Sequence, residues 1–558
     1  MLEGCVPWPA ELAERYVREG CWGDETLATA TLRWCEQHGE RVALIDDERR
    51  LTYRQLDEAA DALAAGLLDL GLRAGDRAIF QLPNSADFLI ALLAVVRIGV
   101  LPVLALTAHR ERELTHFAEA ADAKAYFVGA ETPKLDTVEL AERVVAAVPT
   151  LEHVVVFPQA ARRRFRDARD VAVAGPRDAV RERVLAAAPT DAGEVALFLL
   201  SGGTTALPKL IPRTHRDYVC AIERSAEICA LGEGDVNLIA LPAGHNFQIA
   251  YPGMLGTLLT GGKVVVTSLV RPAEAFPLIE RERVTHTALV PTVAARWASA
   301  PERGDFDLSS MRLWQVGGTR LLPDVARRAM AAFPAVTIQQ VFGMAEGLVC
   351  FTALDDGEDV LIETQGRPMF AADECRIVDA EDRDVAAGER GELITRGPCT
   401  LRGYYRAPEH NARAFTADGF YRTGDVVRLH PSGNFVVEGR IKDMINRGGE
   451  KISAEEVENL ILIHPAVAAT AVVAMPHPEL TETACAFVTL NPEAELTFEE
   501  LIQHLRTQQI ATFKLPERLE LVEQLPLTNV GKVDKATLRA RIAATRAGET
   551  AAGAGHGA

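Results

Sequence analysis

The sequence predicts an α/β fold with a large N-terminal domain of two parallel-sheet subdomains plus a β-rich subdomain, followed by a small α+β C-terminal domain. Three patterns support this prediction. Short apolar strands alternate with helices in two separate blocks of the chain. Short strands with glycine and aspartate turns follow Phe351, and a last segment of roughly 100 residues, a domain-sized length, alternates strand and helix on its own. At 558 residues the chain is too long for one ordinary core.

The first block reads strand, helix, strand, helix, strand. Its strands are RAIFQLP, VLPVLAL and AKAYFVG, and its helices are SADFLIALLAVVRIG and RERELTHFAEAAD. In the first helix, Ser85 is suited to the N-cap and Gly99 to the stop. This order is typical of a parallel sheet covered by helices. The same alternation of strands and helices, with strands at GGKVVVTS, VTHTALVP and MRLWQVGG, predicts a second such sheet.

The sequence pattern changes between Phe351 and Glu438. Short strands such as GELITRG, DGFYRTGDVVRL and GNFVVEG indicate the β-rich subdomain. We place the large domain at residues 1–441 and the small domain at 442–545. Residues 546–558 are small and polar, which predicts a disordered tail.

Composition excludes several classes of function. The net charge of −19 argues against nonspecific binding to nucleic acid or to an anionic membrane. The longest apolar stretch is interrupted by Arg97, Gly99 and Pro102, so we expect no membrane span. The N-terminus lacks the apolar core of a signal peptide, and the nine cysteines include no C-x-x-C pair. We therefore expect a cytoplasmic protein.

The stretch SGGTTALPK, residues 201–209, follows an apolar strand and predicts a phosphate-binding loop. Its glycines let backbone N–H groups face an anion, while hydroxyls and one lysine add donors and charge. The candidate residues are Ser201, Gly202, Gly203, Thr204, Thr205 and Lys209. The spacing is not that of the G-x-x-x-x-G-K-[ST] loop. A hairpin turn with an exposed lysine is the alternative.

Two carboxylates follow strand and turn signals further along the chain. Glu346 lies in QQVFGMAEG and is suited to holding a Mg²⁺ that arrives with a nucleotide. Asp425 ends the segment YRTGD, where its carboxylate can accept both hydroxyls of a ribose. A helix start and a turn former are the alternatives for these two residues.

Cations follow in two later segments. GRIKDMINRGGEKI contributes Arg440, Lys442 and Lys451 in a hinge-like loop, and LPLTNVGKVDK places Lys532 after a glycine near the C-terminus. Each of these taken alone also fits an ordinary surface residue.

In this order, the motifs closely resemble those of the adenylate-forming superfamily, which comprises acyl-CoA ligases, luciferases and peptide-synthetase adenylation domains. The resemblance covers residues 22–538. Within it, PWPAELAERYVREGCW, the HNF…PG segment, QQVFGMAEG and INRGGEKISAEEVEN resemble the stand-alone 2,3-dihydroxybenzoate- and salicylate-AMP ligases of siderophore and other secondary-metabolite pathways. This implies activation of an aromatic acid by ATP, then transfer to the phosphopantetheine thiol of a separate aryl carrier protein.

The resemblance also implies roles for individual residues. The 201–209 loop would hold the β- and γ-phosphates, Glu346 would ligate Mg²⁺, and Asp425 would bind ribose with help from Arg440. Lys532 would bridge the carboxylate and the α-phosphate, and Lys442 would be the hinge of a mobile small domain. Further ATP contacts are implied at Gly318, Val341, Phe342 and Gly343, and further substrate contacts at Gly317, Ala345 and Lys451.

The segment LPAGHNFQIAYPG carries the acid pocket of the related ligases. The resemblance implies that His245 orients the carboxylate, Asn246 contacts the substituent ortho to it, and Phe247 walls the ring. Tyr251 and Gln248 depart from the dihydroxybenzoate pattern, which has a small hydroxyl residue at the first of these positions and usually a small or apolar residue at the second. We therefore expect an ortho-substituted aromatic acid. Salicylate, 3-hydroxyanthranilate and 3-hydroxypicolinate remain open, and plain 2,3-dihydroxybenzoate is not favoured.

Several alternatives remain at this stage. The acceptor is a carrier thiol, coenzyme A or an amine, and a catalytically silent binding protein would share the pocket. A carrier would dock on a basic patch, for which Arg506, Lys514 and Arg518 are candidates. The chain is expected to be a monomer or a homodimer.

Overall fold

A computed structural model describes nine stretches of the chain, and it leaves out the side chain of Lys451 and those of residues 547–554. The stretches are residues 1–46, 49–129, 136–157, 165–201, 207–268, 270–448, 450–508, 510–528 and 532–554. They form two compact units. The first comprises the described residues up to Glu374 together with Thr395–Tyr421, and the second comprises Cys375–Ile394 and the described residues from Arg422 onward.

The first parallel sheet of the first unit has seven strands among the described residues. In spatial order they are Arg166–Asp167, His153–Val156, Ala125–Val128, Arg77–Gln81, Leu101–Leu104, Val195–Leu200 and Leu210–Thr214. All pairs are parallel except the last, which is an antiparallel hairpin. Every residue of Leu101–Leu104 and Ala125–Val128 is buried, as expected for a sheet covered on both faces.

The second sheet of the first unit has nine strands in the part of the chain that the structure describes. They are Arg367–Pro368, Val349–Phe351, Thr337–Gly343, Leu313–Gly317, His286–Leu289, Val236–Ile239, Lys263–Val266, Val42–Ile45 and Arg50–Thr52. The five central pairs are parallel, and antiparallel strands close both edges. The two parallel sheets that we predicted are therefore confirmed.

Helices cover these sheets. They span Ala10–Arg18, Leu27–His38, Tyr53–Asp69, Ala86–Arg97, Glu111–Ala121, Thr137–Ala147, Ala168–Val171, Arg177–Ala187, His215–Ile228, Asn246–Ala250, Gly253–Leu259, Pro272–Glu282, Pro291–Ser299, Pro323–Ala332, Glu358–Glu363 and Pro408–Ala414, with a 3₁₀ turn at Pro301–Asp305. Ser85 occupies the predicted N-cap position, although its side chain makes no capping hydrogen bond. Gly99 follows that helix with a φ of 69°, a value that favours glycine.

The second unit contains two sheets. The four-stranded sheet, whose order is given for described residues, runs Glu374–Val378, Gly391–Arg396, Tyr421–Leu429 and Phe435–Arg440. The other sheet has the order Glu450–Ser453, Met444–Arg447, Thr481–Leu490 and Val467–His477, with Arg518–Leu521 also paired to Thr481–Leu490. Its helices are Ala454–Leu462, Phe498–Thr507 and Lys535–Ala554, with 3₁₀ turns at Ile441–Asp443 and Thr512–Lys514.

Three boundaries differ from the sequence-based expectation. Val349–Phe351 still belongs to the nine-stranded sheet, so the β-rich region begins later, at Glu374. The four-stranded sheet groups mainly with the second unit, although we assigned it to the large domain. The last helix continues to Ala554, beyond the predicted end at residue 545, because this segment is rich in alanine, the best helix former. A functional boundary between Ile441 and Lys442 stays a prediction.

Among the described residues, no helix combines the length and the apolar character that a membrane crossing requires.

Candidate active site

The predicted phosphate loop connects the two strands of a hairpin, Val195–Leu200 and Leu210–Thr214, in the first unit. Its ends are tied together: the Ser201 amide donates to the Lys209 carbonyl and the Lys209 amide donates to Ser201 Oγ, both at 2.9 Å. Gly202, Gly203, Thr204 and Thr205 lie outside the described residues, so their predicted phosphate contacts stay predictions.

Glu346 lies in a tight turn between two antiparallel strands, as the glycine-turn pattern predicted. Its backbone carbonyl accepts a hydrogen bond from the Leu401 amide at 2.7 Å. The next residue, Gly347, has a φ of 131°, and a Cβ there would lie 1.8 Å from the Cys399 carbonyl oxygen. Only glycine therefore lets the turn approach this neighbouring backbone so closely.

One tyrosine joins Glu346 to Lys209. The Tyr404 hydroxyl donates to Glu346 Oε1 at 2.7 Å and lies 2.9 Å from the Tyr421 hydroxyl. Lys209 Nζ lies 5.7 Å from the centroid of the Tyr404 ring. Burial, and then the Glu346 charge, raise the pKa of Tyr404, so its hydroxyl stays protonated and donates.

A single carboxylate suits a magnesium ion that takes its other ligands from water and phosphate oxygens. Glu346 is nearly buried, and its Oε1 is held in place by Tyr404. The donor set of this turn therefore fits Mg²⁺ carried by a nucleotide.

The predicted acid pocket is built on the short helix Asn246–Ala250. His245 is exposed at its N-cap, where Nδ1 accepts from the Phe247 amide at 3.3 Å. Asn246 is buried, and its Oδ1 accepts a hydrogen bond from the Tyr218 hydroxyl at 2.7 Å. The amide of Asn246 is thus oriented by a tyrosine from the preceding long helix.

Tyr251 is backed by a buried ion pair. Arg213 Nη1 donates to the Tyr251 hydroxyl at 3.3 Å, and Arg213 Nε donates to Asp217 Oδ1 at 2.8 Å. Both charged side chains are 0% exposed. Burial alone would lower the pKa of Arg213, but the Asp217 charge raises it well above its ordinary value. Burial raises the pKa of Tyr251, which keeps its hydroxyl protonated.

Gln248, the other departure from the dihydroxybenzoate pattern, is 0% exposed. Neither its amide nitrogen nor its amide oxygen has a hydrogen-bond partner among the described residues. A buried amide without hydrogen-bond partners lowers the stability of the folded state. We therefore expect a substitution of Gln248, or a polar group bound beside it, to change that stability.

The strand ends place Gly317 beside the pocket helix. A Cβ on Gly317 would lie 2.6 Å from the Val341 carbonyl oxygen and 3.4 Å from the Phe247 ring. Glycine is therefore required at the end of the strand Leu313–Gly317 by the neighbouring Val341 backbone, and Phe247 lies next to the same position. Gly318 follows with a φ of 89°.

The neighbouring strand Thr337–Gly343 carries three further predicted contacts, Val341, Phe342 and Gly343. Ala345 connects the predicted acid pocket to Glu346, because its carbonyl accepts from Arg213 Nη1 at 3.5 Å and Glu346 is the next residue. The structure therefore brings the acid pocket and Glu346 together in the first unit.

In the second unit, Asp425 and Arg440 pair across two strands. Arg440 Nε lies 2.8 Å from Asp425 Oδ1, and Asp425 is 3% exposed. Its second oxygen, Oδ2, is buried and has no hydrogen-bond partner in the described part of the chain. Burial raises the pKa of Asp425, and the charges of Arg440, Lys532 and Lys442 oppose that shift. A buried acceptor that lacks a donor is suited to a ribose hydroxyl.

The backbone of Lys532 makes two hydrogen bonds with Thr528. Its amide donates to Thr528 Oγ1 at 3.2 Å, and the Thr528 amide donates to the Lys532 carbonyl at 2.6 Å. Lys535, three residues later, forms a partly buried ion pair, because its Nζ lies 2.7 Å from Glu458 Oε1. Lys535 therefore has a structural role, and the catalytic role of Lys532 stays a prediction.

The remaining predicted residues, Lys442 and Lys451, also belong to the second unit. Lys442 is exposed in the 3₁₀ turn Ile441–Asp443, which is held by an ion pair between Asp443 and Arg539 at 2.9 Å. Lys451 lies in the strand Glu450–Ser453, and its side chain is outside the described part.

Two of the three basic residues proposed for carrier docking are already paired with acids. Lys514 pairs with Glu456 at 2.6 Å and Arg518 with Glu520 at 2.6 Å. Local carboxylates therefore offset both charges, and a role of these residues in carrier docking stays a prediction.

Sequence reasoning missed four residues that support the site: Arg213, Asp217, Tyr218 and Tyr404. The first three follow the phosphate loop in IPRTHRDY, where polar side chains directly after a buried strand were an available signal. Tyr404 gave no signal, because it lies 58 residues from the Glu346 carboxylate that it contacts.

The family model "AMP-binding enzyme" matches residues 32–405, and "AMP-binding enzyme C-terminal domain" matches residues 456–532. A salicylyl-CoA synthase / salicylate adenylyltransferase from a Streptomyces species is 52% identical, with 96% of this chain and 97% of the relative covered.

Two further relatives cover nearly the whole chain. A 2,3-dihydroxybenzoate-AMP ligase from Bacillus subtilis (strain 168) is 47% identical, with 97% of this chain and 98% of the relative covered. The apo structure of MbtA from Mycobacterium smegmatis is 42% identical and superimposes with a TM-score of 0.73, covering 96% of this chain and 98% of the other.

Proposed function

Because this chain belongs to the family of AMP-binding enzymes, we propose that it is an aryl-acid-AMP ligase. It joins an ortho-substituted aromatic carboxylate to the AMP moiety of ATP and releases pyrophosphate. The observation that carries this proposal is the peptide between Ala345 and Glu346. The Ala345 carbonyl accepts from Arg213 of the acid pocket, and Glu346 accepts from Tyr404, whose ring centroid lies 5.7 Å from Lys209 Nζ.

The reaction requires that two anions meet. A carboxylate oxygen attacks the α-phosphorus of ATP, the new P–O bond forms, and the bond to the β-phosphate oxygen breaks. Cations and fixed donors stabilise the negative charge that concentrates at the α-phosphate. Lys532 supplies charge to the carboxylate and the α-phosphate, and Lys209 to the outer phosphates. Mg²⁺ held by Glu346 would neutralise phosphate charge, and Asp425 Oδ2 accepts from the ribose.

In the second step, a thiol attacks the carbonyl carbon of the aryl-adenylate, and AMP leaves. We propose that the thiol belongs to the phosphopantetheine of a separate aryl carrier protein. Coenzyme A is a second candidate, because the printed name of the Streptomyces relative includes salicylyl-CoA synthase. Thioesterification assays with each acceptor distinguish the two.

The proposed acid is of the salicylate type. Tyr251 fills volume where smaller residues are usual, which disfavours a second ring hydroxyl at that edge. Pyrophosphate exchange across a panel of aromatic acids tests this choice. Activity that is highest with 2,3-dihydroxybenzoate would contradict this interpretation of Tyr251.

The test of the function itself is Lys532→Ala. Removal of one electrostatic donor of this kind lowers the rate about 100-fold or more. The measurement is acid-dependent exchange of labelled pyrophosphate into ATP. Lys124→Ala is the matched control, because Lys124 pairs with Asp76 at the surface and has no part in the site. Undiminished exchange in Lys532→Ala, or no exchange by the unmodified enzyme with any acid, would overturn the proposal.

A further inference from the structure

We infer that Tyr218 and Arg213 are positioning residues that make the acid pocket a hydrogen-bond donor toward the ortho substituent. The enzyme then selects acids whose ortho atom accepts a hydrogen bond and disfavours ortho-amino acids such as anthranilate. This inference rests on the proposed function, which it makes more specific.

The first step concerns Asn246. A side-chain amide has one acceptor oxygen and one donor nitrogen on opposite sides. The Tyr218 hydroxyl donates to the oxygen at 2.7 Å, and both side chains are buried. Burial raises the pKa of Tyr218 well above its ordinary value, so the hydroxyl keeps the proton that it donates. With its oxygen engaged, Asn246 presents its NH₂ group to a ligand.

The second step concerns Tyr251. Its hydroxyl oxygen accepts from Arg213 Nη1 at 3.3 Å, so its own O–H points away from the guanidinium. Arg213 cannot reverse this polarity, because a guanidinium has donors only. Asp217 and the face of the Tyr218 ring, 5.4 Å from the guanidinium carbon, hold Arg213 in place. Asn246 and Tyr251 are therefore both oriented as donors.

The third step is the chemistry of the acids. In salicylate, the phenolic proton bonds internally to the carboxylate, so the phenolic oxygen offers its lone pairs outward. In picolinate, the ring nitrogen beside the carboxylate carbon is likewise an acceptor. In anthranilate, one amino hydrogen bonds to the carboxylate and the other points outward as a donor. The outward amino hydrogen would then face a donor of the pocket, and neither group would have an acceptor in the buried site. Such a mismatch lowers affinity roughly 10- to 100-fold.

The experiment compares Tyr218→Phe with the unmodified enzyme. Phenylalanine keeps the ring against Arg213 but removes the hydroxyl, so the Asn246 amide is free to turn over. Tyr53→Phe is the matched control, because Tyr53 is equally buried and its hydroxyl donates to the backbone of Leu258 and Gly262 instead. Dissociation constants for salicylate, picolinate and anthranilate are measured by fluorescence or calorimetric titration with a non-hydrolysable ATP analogue.

We expect the unmodified enzyme to prefer both acceptor acids over anthranilate by about 10-fold or more. In Tyr218→Phe this preference falls at least about fivefold, while Tyr53→Phe leaves it unchanged. Preference for anthranilate, binding of none of the three acids, or a folded Tyr218→Phe with an unchanged ratio overturns the inference. The ranking by the unmodified enzyme tests the donor polarity of the pocket even where the variant fails to fold.

Pyrophosphate exchange with the same acids separates this inference from the proposed function. Discrimination in binding without exchange would overturn the ligase function and leave the pocket polarity standing. Exchange with salicylate whose preference over anthranilate is unaffected by Tyr218→Phe would leave the function standing and overturn the positioning role.

Discussion

Replacement of Asp217 by asparagine tests the buried ion pair beneath the acid pocket. The substitution keeps the volume of the side chain and removes its charge. Asp217 Oδ1 accepts from Arg213 Nε at 2.8 Å, and Oδ2 accepts from the amide and the hydroxyl of Thr214 at 2.8 and 3.1 Å. An asparagine oxygen can serve Thr214, but its NH₂ group would then face the guanidinium, donor against donor.

The size of the effect follows from the burial of both partners. Arg213 would be left with the Tyr251 hydroxyl at 3.3 Å and the Ala345 carbonyl at 3.5 Å, neither of which carries a full charge. Breaking a buried pair by removing one partner costs about 3–5 kcal/mol. This is a large part of the roughly 5–15 kcal/mol that stabilises a typical domain.

Tryptophan fluorescence during urea unfolding is the assay. All five tryptophans, at positions 8, 22, 34, 297 and 314, lie in the first unit, which contains the pair. Asp69→Asn is the control, because Asp69 pairs with Arg183 on the surface, where such a pair contributes at most about 1 kcal/mol. A midpoint for Asp217→Asn that shifts no more than that of the control would refute the reasoning.

The remaining predictions concern three other positions. Burial raises the pKa of Asp373 to about 7, so the folded state loses stability as the pH rises from about 4 through 7. In urea unfolding, the free energy of unfolding of Asp373→Asn should equal that of the unmodified protein near pH 4 and exceed it by about 2–4 kcal/mol at pH 8. Tyr404→Phe should raise the Mg²⁺ concentration for half-maximal pyrophosphate exchange about tenfold, because Glu346 loses a charge-assisted hydrogen bond; an unchanged value would contradict this. Gln248→Leu should raise the free energy of unfolding by about 1 kcal/mol, because it removes two buried polar atoms without partners; a clear loss of stability in thermal unfolding would count against this.

Elements with local signals were predictable from the sequence. The helix Ala86–Arg97 lies between its N-cap position at Ser85 and the positive φ of Gly99, and both residues are read from neighbours in the chain. The same holds for the turn that carries Glu346, because Gly347 specifies it locally. The family resemblance supplied the chemical roles, which residue spacing alone left open.

Two kinds of feature were not predictable in this way: segments whose composition fits two states, and features that depend on distant contacts. The last helix extends past residue 545 because alanine favours helix, although the same composition also fits a disordered tail. The grouping of the strand Phe435–Arg440 with the second unit depends on packing, for example the hydrogen bond from Ser453 Oγ to the Glu438 carbonyl at 2.7 Å. Nothing near Glu438 in the sequence marks that partner.

The buried ion pair has a consequence for catalysis as well as for stability. Hydrophobic residues in place of a buried pair often give equal or greater stability, so stability alone does not account for Arg213 and Asp217. Arg213 donates both to Tyr251 in the acid pocket and to the Ala345 carbonyl beside Glu346. In the proposed site, a rigid guanidinium that contacts both sides would fix the position of the acid relative to that of Glu346 before either ligand binds. Such preorganisation lowers the cost of bringing the reacting carboxylate to the α-phosphate, and this is the contribution that two apolar residues could not replace.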